Sequence, residues 1–154
     1  MSKAKFVYVV YIATTPEKVW QALVDGEVTH LYWGHQNVSD WKVGSRWQHQ
    51  SVDADHDVKI VGRVLESAPP RRLALSWARP DDAANESKHS RVLFEIEPVN
   101  DMVKLTVSHT ELEDGSDMQH GITEGWPRVL SSLKSYLETG RALDTWAMKK
   151  TQRA

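Results

Sequence analysis

The sequence predicts an α+β fold in which an antiparallel sheet of six or seven strands packs against one long C-terminal helix. Segments that alternate apolar and polar residues follow one another between residues 45 and 112, which is typical of strands with one solvated face. The longest segment with helical periodicity comes after them, between Ser116 and Gly140. A sheet with one apolar face needs a cover, and this helix is the element long enough to provide it.

A strand and two short helices are predicted before the main run of strands. Residues 4–13 are rich in β-branched and aromatic side chains, as strands are. The next segment has helix punctuation at both ends, with Thr15 as a plausible N-cap, Pro16 in the first turn and Gly26 after the last turn. A second short helical segment covers residues 27–33.

The central part of the chain predicts five strands separated by turn residues, and a further short strand within residues 35–41. The five are residues 45–52, 57–67, 72–78, 91–98 and 100–112. Pro69-Pro70 predicts a turn, and residues 79–90 predict a polar loop because they show no apolar periodicity.

The last helix carries start and stop signals. Ser116 and Gln119 fit a capping box, and Gly140 fits the left-handed position that ends a helix. Gly121 and Gly125 lie four residues apart and therefore share a face. Two interpretations of this pair are open: it permits close backbone approach, or it leaves volume open beside the helix. The apolar face comprises Met118, Ile122, Trp126, Val129, Leu130, Leu133 and Leu137.

Composition narrows the possible functions. The chain has 154 residues, which fits one domain over residues 1–140 followed by a tail, residues 141–154. The net charge of −2 predicts no nucleic-acid footprint and no membrane-binding patch. With no cysteine there is no disulfide and no thiolate chemistry. The first residues lack a signal-peptide pattern, so a cytoplasmic, unprocessed protein is expected.

Several strings, in order and spanning nearly the whole chain, resemble the START-like (SRPBCC) superfamily. Within it the chain looks most like the branch of the C-terminal domain of the activator of the ninety-kilodalton heat-shock protein ATPase. The strings are IATTPEKVWQALVD (12–25), KVGSRW (42–47), GRVLESAPPRRLALSW (62–77), LTVSHTEL (105–112) and GWPRVLSSLKSYL (125–137). This chain departs from the family at Gly44-Ser45, where two glycines are common, and at Trp47, where phenylalanine is common.

The resemblance implies a helix-grip fold with a cavity between the sheet and the long helix. Members of the superfamily bind lipids, hormones or polyketides, or catalyse reactions on them, and some are chaperone partners. A tryptophan at position 47 would narrow such a cavity. Because fold alone does not select among these functions, the function must be argued from the residues of the site.

Strand phase predicts which side chains line this cavity. His109 is in phase with the apolar residues of its strand and His49 with Trp47, so both imidazoles should face inward. Each could orient a polar ligand group or act as an acid or base, or it could be a hydrogen-bonded core residue. The tryptophans could line the pocket or fill the core. The predicted ligand-binding residues are Trp33, Trp47, His49, Trp77, Phe94, His109, Met118, Ile122 and Trp126.

No catalytic residue, cofactor or metal site is predicted. The segment DADHD, residues 53–57, resembles the start of a calcium loop, but Val58 and Val64 stand where that loop needs glycine and glutamate. His30 and His35 are five residues apart, which is not a metal-binding spacing on a helix.

Three functional hypotheses remain. The leading one is the binding of an apolar or amphipathic small molecule in the cavity. The second is a chaperone-interaction module that resembles the heat-shock ATPase activator and binds through its outer surface. The third is a cyclase- or hydratase-like enzyme that uses an inward histidine, which requires a carboxylate or tyrosine within hydrogen-bond reach of the imidazole.

The first strand predicts a covered outer face. Val7, Val9 and Tyr11 form a second apolar face, whereas a strand with one solvated face should alternate. Either a second copy of the chain or the C-terminal tail with Trp146 could cover it. The first possibility predicts a homodimer.

Overall fold

A computed structural model describes residues 3–51 and 57–143. Residues 144–154, which include Trp146, lie outside the described residues. So do residues 52–56, which include most of the acidic segment DADHD. The helices are α1 (Pro16–Val24), α2 (Gly26–Trp33) and α3 (Asp117–Thr139). The strands are β1 (Lys3–Ile12), β2 (His35–Val38), β3 (Arg46–Ser51), β4 (Val58–Ala68), β5 (Arg72–Trp77), β6 (Ser90–Val99) and β7 (Met102–Glu113).

The seven strands form one antiparallel sheet in the order β1-β7-β6-β5-β4-β3-β2. Consecutive strands from β2 to β7 are neighbours, and β1 closes the order beside β7 at one edge. This confirms the predicted α+β class and the single long C-terminal helix, and the seven strands fall within the predicted six or seven. The helix-grip arrangement implied by the family resemblance is the arrangement observed.

The helix ends follow the predicted punctuation closely. The Thr15 side chain accepts the Lys18 N–H at 3.3 Å, and the Ser116 side chain accepts the Gln119 N–H at 3.1 Å. Gly140 ends α3 with φ of 81°, a left-handed conformation that glycine adopts without a Cβ clash. Gly26 follows the end of α1 as predicted, and it is also the first residue of α2, because Asp25 caps both helices.

The core lies between the inner face of the sheet and α3. On β6 and β7 the buried side chains alternate with outward ones, as the sequence pattern predicts. The buried face of α3 presents Trp126, Val129, Leu130 and Leu133 to this layer. Pro127 lies inside α3, and the helix continues on both sides of it.

Strand β1 forms one edge of the sheet and has two unlike faces. Its even-numbered residues from Ala4 to Val10 pack against the core, whereas Val7, Val9 and Tyr11 are 50%, 42% and 45% exposed. An edge strand with an apolar outer face is a ready site for association. None of the helices in residues 3–51 and 57–143 is long and apolar enough to cross a membrane.

Candidate functional site

Aromatic and imidazole rings from six elements meet between the sheet and α3. We call this set the aromatic cluster; it comprises Trp33, Trp47, His49, Trp77, Phe94, His109 and Trp126. Trp77 lies near its centre, with ring centroids 5.3 Å from Trp47, 5.3 Å from His109 and 5.4 Å from Trp126. Trp33 closes one side, 5.5 Å from Trp126 and 4.6 Å from His49.

Local structure explains why these rings converge. Trp33 is the last residue of α2, which ends there because Gly34 adopts φ of 84°. Trp47 and His49 are two residues apart on β3 and therefore share the inner face. Trp126 occupies the buried face of α3 opposite them. The alternation along each strand thus determines which side chains face α3, and the antiparallel strand order brings these side chains close to one another.

His109 is held by a chain of four hydrogen-bonding groups. The Trp126 indole N–H donates to its Nδ1 at 3.1 Å, so that nitrogen is an acceptor and the proton is on Nε2. The Nε2–H then donates to the Ser90 hydroxyl at 2.7 Å, and that hydroxyl donates to the Trp77 carbonyl at 3.1 Å. Every ring nitrogen of His109 is therefore committed to a structural bond.

Burial makes His109 a neutral residue at ordinary pH. Its side chain is fully buried, and this burial lowers its pKa to about 3. Protonation at Nδ1 would also break the bond from Trp126, because both groups would then be donors. Of the two interpretations of this residue, the hydrogen-bonded core histidine is the one that the contacts support.

His49 has a similar but shorter chain of contacts. Its Nδ1 lies 2.7 Å from the Asn37 side-chain oxygen, and the Asn37 amide donates to the Leu23 carbonyl at 3.4 Å. That second bond orients the amide, so His49 donates from Nδ1. Burial, with a smaller contribution from the nearby charge of His35, lowers the pKa of His49 to about 3.

The Trp47 indole takes the place of one backbone hydrogen bond between β4 and β5. Its indole N–H donates to the Ser76 carbonyl at 2.8 Å, while the Arg63 N–H on β4 donates to the Ser76 hydroxyl at 2.8 Å instead. Gly62 makes this possible: a Cβ there would lie 1.8 Å from the Ser76 carbonyl oxygen and 2.5 Å from the indole nitrogen.

Trp77 differs from its neighbours in one respect. Its side chain is only 6% exposed, and its indole N–H has no hydrogen-bond partner within the part of the chain that the structure describes. Leaving a buried donor unpaired costs about 1–3 kcal/mol. The donor at the centre of the aromatic cluster is thus buried and unpaired among the described residues.

On α3, two glycines directly precede residues of the predicted site, Gly121 before Ile122 and Gly125 before Trp126. Ile122 is 7% exposed, and Met118 is half-buried against the core. A Cβ added at Gly121 or Gly125 would meet no atom within 4 Å, so neither glycine serves a close backbone approach. Of the two interpretations open for this pair, the structure supports open volume, which lies at the surface of the helix, where Gly121 is exposed and Gly125 is half-buried.

All nine predicted ligand-binding residues are thus brought to the sheet–helix interface. Eight are buried, and Met118 is half-buried. Their rings contact one another instead of surrounding a wide space, as the tryptophan at position 47 suggested. The cavities of about 840, 750 and 220 Å³ open elsewhere on the described surface, with Trp47 and Met118 at the walls of the first and third. The binding role of the nine residues stays a prediction.

The contacts also bear on enzymatic and metal chemistry. Among the described residues, the side-chain partners of His109 are Ser90 and Trp126 and that of His49 is Asn37, whereas the enzyme hypothesis calls for a carboxylate or tyrosine. Within residues 3–51 and 57–143 no three acidic or histidine side chains are grouped to hold a metal ion.

Comparison with known protein families now has a structural basis. Residues 13–138 match the family model described as Activator of Hsp90 ATPase homolog 1-like protein. The chain belongs to this family. The match begins directly after β1 and extends into the last turn of α3. No curated protein matches the sequence.

Solved structures agree with the AHSA1-like fold. The Aha1 dimer from Colwellia psychrerythraea is 20% identical, with a TM-score of 0.73, over 90% of this chain and 99% of that one. An HSP90 activator from Plasmodium falciparum is 22% identical, with a TM-score of 0.70, over 86% and 95%. CalU16 from Micromonospora echinospora is 19% identical, with a TM-score of 0.69, over 97% and 82%. At these identities the likeness concerns the fold.

Sequence reasoning missed the polar residues that organise the cluster. Asn37, Ser76 and Ser90 are buried and bond the ring nitrogens or the strands beside them. A lone serine or asparagine in a strand carries no pattern that announces such a role. Gly62 did carry a signal, because a glycine inside a strand often marks a close approach.

Proposed function

We propose that the protein binds a small planar amphipathic molecule at the aromatic cluster, with a ligand oxygen accepting the Trp77 indole N–H. The observation that carries this proposal is the buried, unpaired donor at the centre of the cluster. Polar groups buried in native structures nearly always have a partner, so an unpaired one calls for an explanation. A ligand carbonyl or ether oxygen is such a partner.

The surrounding rings supply the apolar part of the recognition. Planar ligands pack against aromatic faces in offset or edge-on contacts, each about 0.5–1.5 kcal/mol beyond the buried area. The two histidines are neutral and committed to Asn37, Ser90 and Trp126. The polar anchor of the ligand is therefore Trp77, and the histidines hold the cluster in place.

Entry to the cluster requires rings to move apart, because their centroids are already 4.6–6.5 Å from one another. On α3, Gly121 is exposed and Gly125 half-buried, so neither position carries a side chain that would cover the neighbouring Ile122 and Trp126. Trp33 and Ile122 each retain 7% exposure and are the most exposed of the buried predicted residues. Trp33 is the last residue of a short helix, and its ring is the one that we expect to move when a ligand enters.

A matched pair of probes tests this proposal. Acetophenone offers a planar ring with a carbonyl acceptor, and ethylbenzene offers a similar ring and side chain with no acceptor. Titration of ¹⁵N-labelled protein should shift the Trp77 indole N–H signal downfield with acetophenone and not with ethylbenzene. Acetophenone should also bind about tenfold more tightly, as one hydrogen bond of about 1.4 kcal/mol predicts.

Two variants separate recognition from packing. Trp77→Phe should remove the difference between the two probes, because phenylalanine keeps a ring and loses the donor. Trp20→Phe is the control, since Trp20 is half-buried on α1 outside the cluster. Equal affinity for both probes in the natural chain, or an unchanged preference in Trp77→Phe, would contradict the proposal.

A second candidate function is contact with a chaperone of the Hsp90 class. It is supported by the family to which the chain belongs and by the likeness to an HSP90 activator from Plasmodium falciparum. The aromatic cluster is closed, so the outer surface would make this contact. The test is co-purification with the host chaperone together with its ATPase rate. No retention and an unchanged rate at saturating protein would contradict it.

A homodimer through β1 is the associated proposal for assembly. It is supported by the exposed apolar face of Val7, Val9 and Tyr11 at the sheet edge, and by the solution structure of an Aha1 dimer from Colwellia psychrerythraea. Light scattering should give twice the mass of one chain at micromolar concentration. Val9→Lys should convert it to a monomer, whereas Leu31→Lys, an exposed control on α2, should not. A monomeric natural chain would contradict the proposal.

A further inference from the structure

A row of three arginines crosses the outer face of the sheet, away from α3. Arg46 on β3 lies directly opposite Arg63 on β4, and Arg63 donates its backbone N–H to Ser76 on β5. Ser76 in turn lies opposite Arg91 on β6. Neighbouring strands are about 4.8 Å apart, so the first two arginines start about 5 Å apart and the third about 10 Å further along.

These arginines line a groove of about 840 Å³. Its floor includes Trp47 and Gly62, and the turns of residues 80–88 form one wall through Ala83 and Ala84. The His89 ring fastens this wall, because it lies 3.0 Å from the Asp82 carbonyl and 3.3 Å from the Ser76 hydroxyl. The three arginines therefore lie in a groove whose wall is held in place by hydrogen bonds.

The charges in the recess are unbalanced. Among the described lining residues there are three arginines and one carboxylate, Glu86, and neither Arg46 nor Arg91 has an ion pair or a hydrogen bond from its side chain. Arg63 uses one nitrogen on the Gly44 carbonyl at 3.0 Å. On the same face, Arg72 is neutralised by Glu66 at 2.9 Å and Glu95 at 3.0 Å, which shows the ordinary arrangement.

An uncompensated like-charge pair directly across two strands is unfavourable. In a chain whose net charge is −2, three unneutralised arginines in one recess are a local concentration of positive charge. Guanidinium groups bind carboxylates and phosphates through paired N–H donors, and each such bond is stronger than a neutral one. The arrangement therefore favours an anion that spans more than one arginine.

We infer that this groove binds a small organic polyanion, a molecule with at least two carboxylate or phosphate groups about 5–10 Å apart. The arginines of β3, β4 and β6 hold the anionic groups, and the apolar surface of Val61 and Leu65 contacts the body of the molecule. The arginines of this site lie on the opposite face of the sheet from the aromatic cluster, and the two sites share Trp47 at the floor of the groove.

Calorimetric titration with tripolyphosphate and with citrate, at ionic strength matched with NaCl, tests the inference. At least one probe should bind the natural chain, and the preferred probe distinguishes a phosphate-bearing from a carboxylate-bearing ligand. Arg46→Gln and Arg91→Gln should each weaken binding about tenfold or more, because each removes a charge-assisted contact. Arg71→Gln, an exposed arginine in the β4–β5 turn, is the control and should bind as the natural chain does.

Stability provides a second measurement that does not depend on heat of binding. A ligand that binds the folded state raises the melting temperature, so the preferred probe should raise it in the natural chain and in Arg71→Gln. The double variant Arg46→Gln/Arg91→Gln should lose this rise and, without any probe at low salt, melt no lower than the natural chain. Equal binding by the double variant, or no binding of either probe to the natural chain, would overturn the inference.

Discussion

Acidification should destabilise the protein through the two buried histidines. Burial holds the pKa of His49 and His109 at about 3, against 6.5 for the free side chain. Below pH 6.5 the unfolded chain therefore binds protons that the folded chain excludes. The contribution of the two neutral histidines to the free energy of unfolding is fully present above pH 6.5. It is lost as the pH falls from 6.5 towards 3.

The size of the effect follows from these values. One pKa unit corresponds to about 1.36 kcal/mol, so each histidine costs about 2 kcal/mol of unfolding free energy between pH 7 and pH 5. The pair costs about 4 kcal/mol, which is a large part of the 5–15 kcal/mol typical of a small domain, about 0.1 kcal/mol per residue. Urea denaturation followed by tryptophan fluorescence at pH 7, 6 and 5 measures this loss.

A variant assigns the loss to one residue. In His109→Gln the difference in unfolding free energy between pH 7 and pH 5 should shrink by about 2 kcal/mol. His120→Gln, an exposed position on α3, should keep the full difference. If His109→Gln does not fold, an NMR titration of the natural chain tests the same point. The His109 Cε1 proton signal should not titrate above pH 4. Titration of that signal near pH 6.5 would refute the reasoning.

Three further predictions concern packing. Gly62→Ala should lower the unfolding free energy by about 1–3 kcal/mol or more in urea denaturation, because its Cβ would lie 1.8 Å from the Ser76 carbonyl oxygen; an unchanged midpoint would contradict this. Gly121→Ala should raise it by up to about 1 kcal/mol, since the added methyl meets open space and alanine favours a helix; a lower melting temperature would count against it. Trp126→Phe should lower the unfolding free energy by about 1–3 kcal/mol in the same assay, because it leaves the His109 Nδ1 acceptor without a donor. An effect no larger than that of Trp20→Phe would show that this hydrogen bond contributes little.

The fold could be predicted from the sequence because it depends on periodicity and punctuation. Alternation placed β6 and β7, and Thr15, Ser116 and Gly140 marked helix ends that the structure has. The double role of Asp25 was not predictable, because one residue that both ends and begins a helix leaves no gap in the pattern.

The candidate site was predictable in its membership and not in its packing. The alternation of residues along their strands predicted that His49 and His109 face inward, and both are buried. Whether the rings would enclose a space or fill it depends on rotamers and on partners such as Ser90, which come from other elements. The arginine row escaped sequence reasoning for the same reason. Arg46 and Arg91 are 45 positions apart in the chain, and their shared row follows from strand register, which alternation alone does not fix.

The proposed function depends on the Trp77 indole N–H anchoring a ligand within the aromatic cluster. The most direct measurement is the ¹⁵N–¹H correlation spectrum of the indole groups during titration with acetophenone, with ethylbenzene as the matched probe. We expect a saturable downfield shift of the Trp77 signal with acetophenone and no such shift with ethylbenzene. A Trp77 signal that does not respond to acetophenone, or that shifts equally with both probes, would contradict it.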